Sequence, residues 1–181
     1  MLKKISIIAL SALVISANCH GQESDNGNLV KAGNILQDLI PLTALGTTIF
    51  YEKGTEGTIQ FLKSYVTAVL ATEGLKKLID KQRPNGGCCD SFPSKHATKA
   101  FVGAAFIQKR YGWKYAIPAY LGASYVAYGR VEADKHYWGD VAAGAAIGVL
   151  SGYIFTKPYK TVRITPFAAG DFIGFNLTTN W

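Results

Sequence analysis

The sequence predicts an all-α protein, a compact bundle of about five to six helices closed by a short C-terminal β-hairpin. Apolar residues recur at helical spacing through most of the chain. Gly and Pro clusters punctuate these runs, and only the tail is β-rich. With 181 residues and 49% hydrophobic content, the chain is long enough for one domain with a buried core.

The first residues, from Lys3 and Lys4 through the apolar run Ile5 to Ile15, have the layout of a secretory signal peptide. Cleavage after Gly21 is expected, which assigns 1–21 to a leader, 22–28 to a flexible polar lead, 29–158 to the helical domain and 159–181 to the hairpin. Acylation of Cys19 is disfavoured, because Ser16 and Asn18 fit a lipobox poorly. From Leu29 to Tyr51 the spacing is helical, with Pro41 expected to kink the helix or break it in two. A second helix is predicted from Thr58 to Lys81, with Phe61, Leu62, Tyr65, Val66, Val69 and Leu70 as its apolar stripe; "RPNGG" ends it. After the loop "NGGCCDSFP", a third helix begins at Ser94 as its cap. Tyr115 to Tyr128 and Val141 to Phe155 read as two further helices, the last with Gly and Ala at close-packing spacing. Neither reaches the roughly 18 to 20 uncharged residues that cross a bilayer, so a water-soluble bundle is preferred over a polytopic membrane protein. In the tail, β-rich residues flank a turn near Ala169 to Asp171.

The formal charge is +7, and the chain stays basic once Lys3 and Lys4 leave with the leader. Such a surplus suits an anionic partner. Of three cysteines, Cys88 and Cys89 are adjacent. A strained vicinal bridge, two thiols or an intermolecular link all stay open, and a metal pair is disfavoured because no further Cys or His has zinc-ligand spacing.

Three short stretches carry the chemistry. In "KKLIDKQRP", Lys76 and Arg83 are seven apart, which on a continuous helix puts both cations on one face about 10 Å apart. In "SFPSKHA", Ser94 and His96 stand at a helix start, where free amides bind anions and a histidine can donate a proton. In "YGRVEADKHYWGD", His136 and Asp140 are four apart, so on one helix face the carboxylate reaches back to fix the imidazole, with Arg130 near by. Taken singly, each has an ordinary structural reading: a solvated basic helix end, a capped helix, a capping aspartate beside a surface histidine.

Together they resemble the type-2 phosphatidic acid phosphatase family, part of the superfamily of bacterial class A acid phosphatases and vanadium haloperoxidases. Its pattern is Lys, six residues, Arg-Pro; then Pro-Ser-Gly-His; then Ser-Arg, five residues, His, three residues, Asp. Here Lys76 to Pro84, Pro93-Ser94-Lys95-His96, and Arg130, His136 and Asp140 follow in the same order. The resemblance implies the family's helical fold and a metal-independent phosphoester hydrolase with no cofactor. It makes His136 the nucleophile, oriented by Asp140, and His96 the acid that protonates the leaving oxygen and later helps water attack. Lys76, Arg83, Arg130 and Ser94 hold the phosphate oxygens. Three cations and two histidines also suit the charge of a transferring phosphoryl group.

Two positions depart from the pattern: Lys95 stands for the glycine and Gly129 for the serine. Lys95 either adds a fourth cation to the phosphate site or crowds it. The expected substrate is a phosphorylated small molecule or lipid, handled in the periplasm or cell envelope, with contact to a membrane surface and no nucleic acid. Oligomeric state is open. So are two other readings, a relative that binds phosphate without turnover and a vanadate-dependent haloperoxidase.

Overall fold

The sequence KHATKAFVGAAFIQKRY carries small or apolar residues on nearly every side, and a helix of that kind belongs at the centre of a bundle. In the computed structural model it does. The structure describes residues 27–159 and two strand segments, 161–169 and 172–180; the expected leader and lead up to residue 26, and the tip of the predicted turn, lie outside the described residues. Five helices make the fold: α1 (Gly27–Phe50), α2 (Glu56–Leu78), α3 (Lys95–Tyr111), α4 (Trp113–Glu132) and α5 (Trp138–Phe155). α3 packs against all four others, and Ala100, Val102, Ala104, Ala105 and Phe106 are wholly buried along it. After the helices, β1 (Thr161–Ala169) and β2 (Phe172–Asn180) run antiparallel, with Thr161 opposite Asn180.

Pro41 does not break α1, which runs continuously through it. Pro41 packs closely on α3, where a Cβ at Gly103 would stand 2.9 Å from the Pro41 nitrogen. α3 passes into α4 through Gly112 alone, whose φ of +95° ends one helix and starts the next in a conformation that side-chain-bearing residues rarely adopt.

α2 ends at Leu78, earlier than the predicted Lys81, because Ile79 is extended and Lys81 pairs with Asp90 in an isolated bridge. The stripe expected to face the core is also rotated. Phe61 is buried, but Leu62, Val66 and Leu70 are exposed, while Gln60, Ser64, Ala68 and Thr72 face inward. Ser64 and Thr72 satisfy themselves by donating to carbonyls one turn back, and Thr72 also meets the Thr98 hydroxyl at 3.0 Å. α5 repeats the pattern, burying Gly144, Gly148, Ser151 and Gly152 and exposing Leu150 and Ile154.

On α2 and α5 the small and polar residues face in and large apolar ones face out, an arrangement that favours membrane association over the expected water-soluble bundle. α5 also begins at Trp138, not Val141. At 18 residues it is the one described helix long and apolar enough to cross a membrane.

At the far end of α3, Glu52 receives both ends of the Arg110 guanidinium, at 2.8 and 2.6 Å, and the Tyr111 hydroxyl at 2.6 Å. Arg110 donates also to the Lys157 carbonyl at 2.8 Å, so this buried pair ties the α1 exit, α3 and the α5 exit together. The other end of the bundle is left for chemistry.

Candidate active site

The N-termini of α3 and α5 and the C-termini of α2 and α4 meet at one end of the bundle, and each brings part of the three motifs. Lys76 comes from the last turn of α2, His96 from the first turn of α3, and Arg130 from the last turn of α4. Two loops complete the set: 79–94 carries Arg83, and 133–137 carries His136. They are joined by the Asn85 amide donating to the Asp134 carbonyl at 3.1 Å, and the Ser94 amide ties the first loop to α5 by donating to the Asp140 carbonyl at 2.9 Å. Asp134 turns the chain back with a φ of +50°.

Arg83 lies beyond α2, so the helical register that paired it with Lys76 does not exist. Both still converge, through Asp90. Arg83 Nε donates to Asp90 Oδ1 at 2.8 Å and Nη2 to Oδ2 at 3.1 Å, while Lys76 Nζ donates to the Asp90 carbonyl oxygen. Arg130 is buried and donates to Asn34 Oδ1 on α1. Asn34 was invisible in the motif, which contains no residue of α1.

Ser94 stands at the N-cap of α3, yet its side chain caps nothing. The hydroxyl is buried without a hydrogen-bond partner. Lys95 takes an ordinary helical backbone, so this position does not need the family's glycine. Its ammonium is 2.6 Å from Glu73 on α2, a partner that compensates its charge. At Gly129, a Cβ would come within 2.5 Å of the Leu29 side chain, so α1 fills the space of the family's serine.

His136 precedes α5 and is 3% exposed. Its Nδ1 faces the Ser91 carbonyl at 2.7 Å. The expected grip of Asp140 on the imidazole is not made. Asp140 Oδ1 accepts from Lys81 Nζ at 2.6 Å, and Oδ2 accepts from the Ser91 hydroxyl at 2.5 Å and the Tyr137 amide at 3.0 Å. The physical reason is that His136 lies outside the helix, so the four-residue spacing never puts the two on one face. Burial, reinforced by Lys76 and Arg83, pulls the imidazole down to about 4, against the opposing pull of the Ser91 bond and Asp140. Burial, then the neighbouring Arg130 and His136, holds His96 well below the usual histidine range.

Cys88 is disulfide-bonded and Cys89 is a free, exposed thiol, so the adjacent pair does not form a vicinal bridge.

The architecture and motif order meet in the comparisons. The PAP2 superfamily model matches residues 57–163, more than half of the chain. The chain belongs to the PAP2 superfamily. Among curated proteins, this PAP2 chain is 39% identical over 92 residues to a lipid A 4′-phosphatase of Helicobacter pylori, covering 48% of this chain and 46% of that one. It is 36% identical over 73 residues to a lipid A 1-phosphatase of Porphyromonas gingivalis, covering 39% of this chain and 16% of the other. The chain thus spans less than half the length of these relatives. Its fold is similar to the crystal structure of a transmembrane PAP2 type phosphatidylglycerolphosphate phosphatase from Bacillus subtilis, with a TM-score of 0.55, 26% identity, and 71% and 72% of the two chains covered.

Proposed function

We propose that this chain is a metal-independent phosphatase that removes a phosphate from a membrane lipid through a phosphohistidine on His136. The observation that carries this reading is the setting of His136: buried, with Nδ1 engaged by the Ser91 carbonyl, so that Nε2 is left as the nucleophilic nitrogen. Nε2 attacks phosphorus in line. The P–O bond to the lipid breaks as P–N forms, and the departing oxygen takes its proton from His96. Water, giving a proton to His96, then attacks the phosphohistidine and releases inorganic phosphate.

Lys76, Arg83 and Arg130 balance the charge of the transferring group, and the unpartnered Ser94 hydroxyl is free to donate to one of its oxygens. Lys95, held by Glu73, plays the smaller part of a nearby compensated cation. The two lipid A phosphatase relatives support a phosphomonoester of a glycolipid as substrate, with the diphosphate esters of lipid carriers as the related class. The apolar exterior supports membrane association. With that exterior in lipid, the site at the helix ends sits at headgroup level, where a lipid phosphate lies.

The test is phosphate release by the purified protein in detergent with chelator present. Lipid A, phosphatidylglycerol phosphate and p-nitrophenyl phosphate are compared for wild type and His136→Ala. Release from a lipid that vanishes in the variant is expected. Phosphate binding without release from any substrate would favour the binding-only relative, and halide oxidation appearing with added vanadate would favour the haloperoxidase.

A further inference from the structure

Behind His136 lies a small cluster that the family motif does not contain. Ser91, fully buried, is held at every polar atom: its amide donates to the Lys81 carbonyl at 2.9 Å, its hydroxyl to Asp140 Oδ2 at 2.5 Å, and its carbonyl faces His136 Nδ1 at 2.7 Å. Lys81 completes the cluster. Its ammonium reaches Asp140 Oδ1 at 2.6 Å and lies 4.5 Å from the centre of the Tyr137 ring, boxed between the buried carboxylate and an aromatic face.

We propose that Lys81 and Ser91 are positioning residues for phosphoryl transfer: Asp140 acts on His136 through the Ser91 backbone, and Lys81 is the counter-ion that keeps Asp140 on Ser91. The inference rests on the reading that this site hydrolyses phosphate esters. A carbonyl oxygen can only accept, so Nδ1 carries the imidazole proton and the Nε2 lone pair is the one presented to phosphorus. Such a contact fixes ring direction as well as tautomer. A carboxylate bonded directly to Nδ1 would do the same while making the ring more basic. Here that carboxylate is one residue removed and neutralised by Lys81, which leaves the nucleophile unprotonated across a wider range of acidic pH. The charged and titratable groups around the ring are then Lys76, Arg83 and His96 at the phosphate side and Asp140 behind Ser91.

Kinetics of the full chain with p-nitrophenyl phosphate test this, with lipid A as second substrate. Lys81→Met and Ser91→Ala are each expected to lower kcat about tenfold or more, the worth of one lost hydrogen bond to a charged group. KM should stay within about twofold, because Lys76, Arg83 and Arg130 are untouched. Lys81→Met should also move the acid limb of kcat/KM to higher pH, as the bare Asp140 carboxylate makes His136 more basic, and Lys81→Arg should recover most of the rate. A Lys81→Met enzyme with kcat within twofold of wild type, a loss confined to KM, or no recovery with arginine overturns the proposal. Should the variants not fold, nitrogen-15 spectra of histidine-labelled wild type decide it, using His136→Gln to assign the ring. Nδ1-protonated neutral imidazole is expected, and protonation at Nε2 overturns it. If wild type hydrolyses none of the substrates, the phosphatase reading falls by itself, while the spectra still give the tautomer.

Discussion

Arg83 and Asp90 form a bidentate pair, with Nε–Oδ1 and Nη2–Oδ2 at 2.8 and 3.1 Å, inside the loop between α2 and α3. A carboxylate in that position presents to the guanidinium the fork that a phosphate would present. Substrate must therefore displace Asp90 or share Arg83 with it. Asp90→Asn is expected to tighten binding of inorganic phosphate and vanadate as competitive inhibitors. Because Asp90 is 46% exposed, the gain is modest, about two- to fivefold in inhibition constant. Weaker inhibition by both anions would show instead that Asp90 holds Arg83 in its working position.

His96 as acid predicts a dependence on the leaving group. p-Nitrophenolate departs without help, whereas an alkyl or sugar oxygen needs a proton in the transition state. His96→Ala should therefore lose more rate with lipid A than with p-nitrophenyl phosphate, about tenfold more or greater. Equal losses with both would remove the acid role from His96.

The pH profile has a defined acid side. The imidazole of His136 is held down to about 4, so it is neutral, and able to attack, from there upward. Activity should rise with pH through this region, well below the ordinary histidine value of about 6.5, and fall again as His96, which burial and then Arg130 and His136 also hold well below that value, loses the proton it must donate, giving a bell-shaped profile. The profile of kcat/KM, measured from about pH 3 to 8, checks it. An acid limb at the ordinary histidine value would mean that His136 is solvated and its cation neighbours absent.

How much of this was legible in the chain depends on the kind of signal. Motif order singled out Lys76, Arg83, His96, Arg130, His136 and Asp140 as candidates, which the fold carries on the helix ends and loops of one end of the bundle. The internal geometry was not legible. His136 and Asp140 were assigned to one helix face, but a helix start at Trp138 leaves the histidine outside, and nothing in a spacing of four announces that start. Ser91 was hidden because it acts through its carbonyl, an atom every residue has. Periodicity found the helices but assigned their faces by water-soluble rules. Leu62, Val66 and Leu70 went inward on that logic, whereas the centre is filled by Ser64, Ala68 and Thr72, which let α2 approach its neighbours closely.

The Arg110–Glu52 pair gives a stability test remote from the chemistry. Both side chains are almost inaccessible, at 4% and 2%. Glu52→Ala would leave a buried guanidinium without its counter-ion and is expected to cost about 3–5 kcal/mol, read as a lower melting temperature. Replacing both by apolar residues, Glu52→Leu with Arg110→Met, should recover much of that loss. A single variant as stable as wild type would mean that water reaches Arg110.

The glycines of α5 connect packing to the site in a way that two substitutions can separate. A Cβ at Gly148 would stand 2.6 Å from the Thr98 carbonyl oxygen and 2.8 Å from the Val102 nitrogen, backbone atoms that cannot swing away. Gly148→Ala must push α3 and α5 apart in the middle of the bundle, at about 1–3 kcal/mol, and the fraction that remains folded should keep its KM. A Cβ at Gly144 would stand 2.4 Å from the Ser94 carbonyl oxygen, at the end where α3 presents Ser94 and His96. Relief there moves Ser94 itself, whose buried hydroxyl is proposed to hold phosphate. Gly144→Ala is therefore expected to raise KM and lower kcat even below its melting transition, where Gly148→Ala raises neither barrier. Equal kinetic effects of the two would show that the bundle moves as one body and that the active-site end has no separate sensitivity to the α3–α5 spacing.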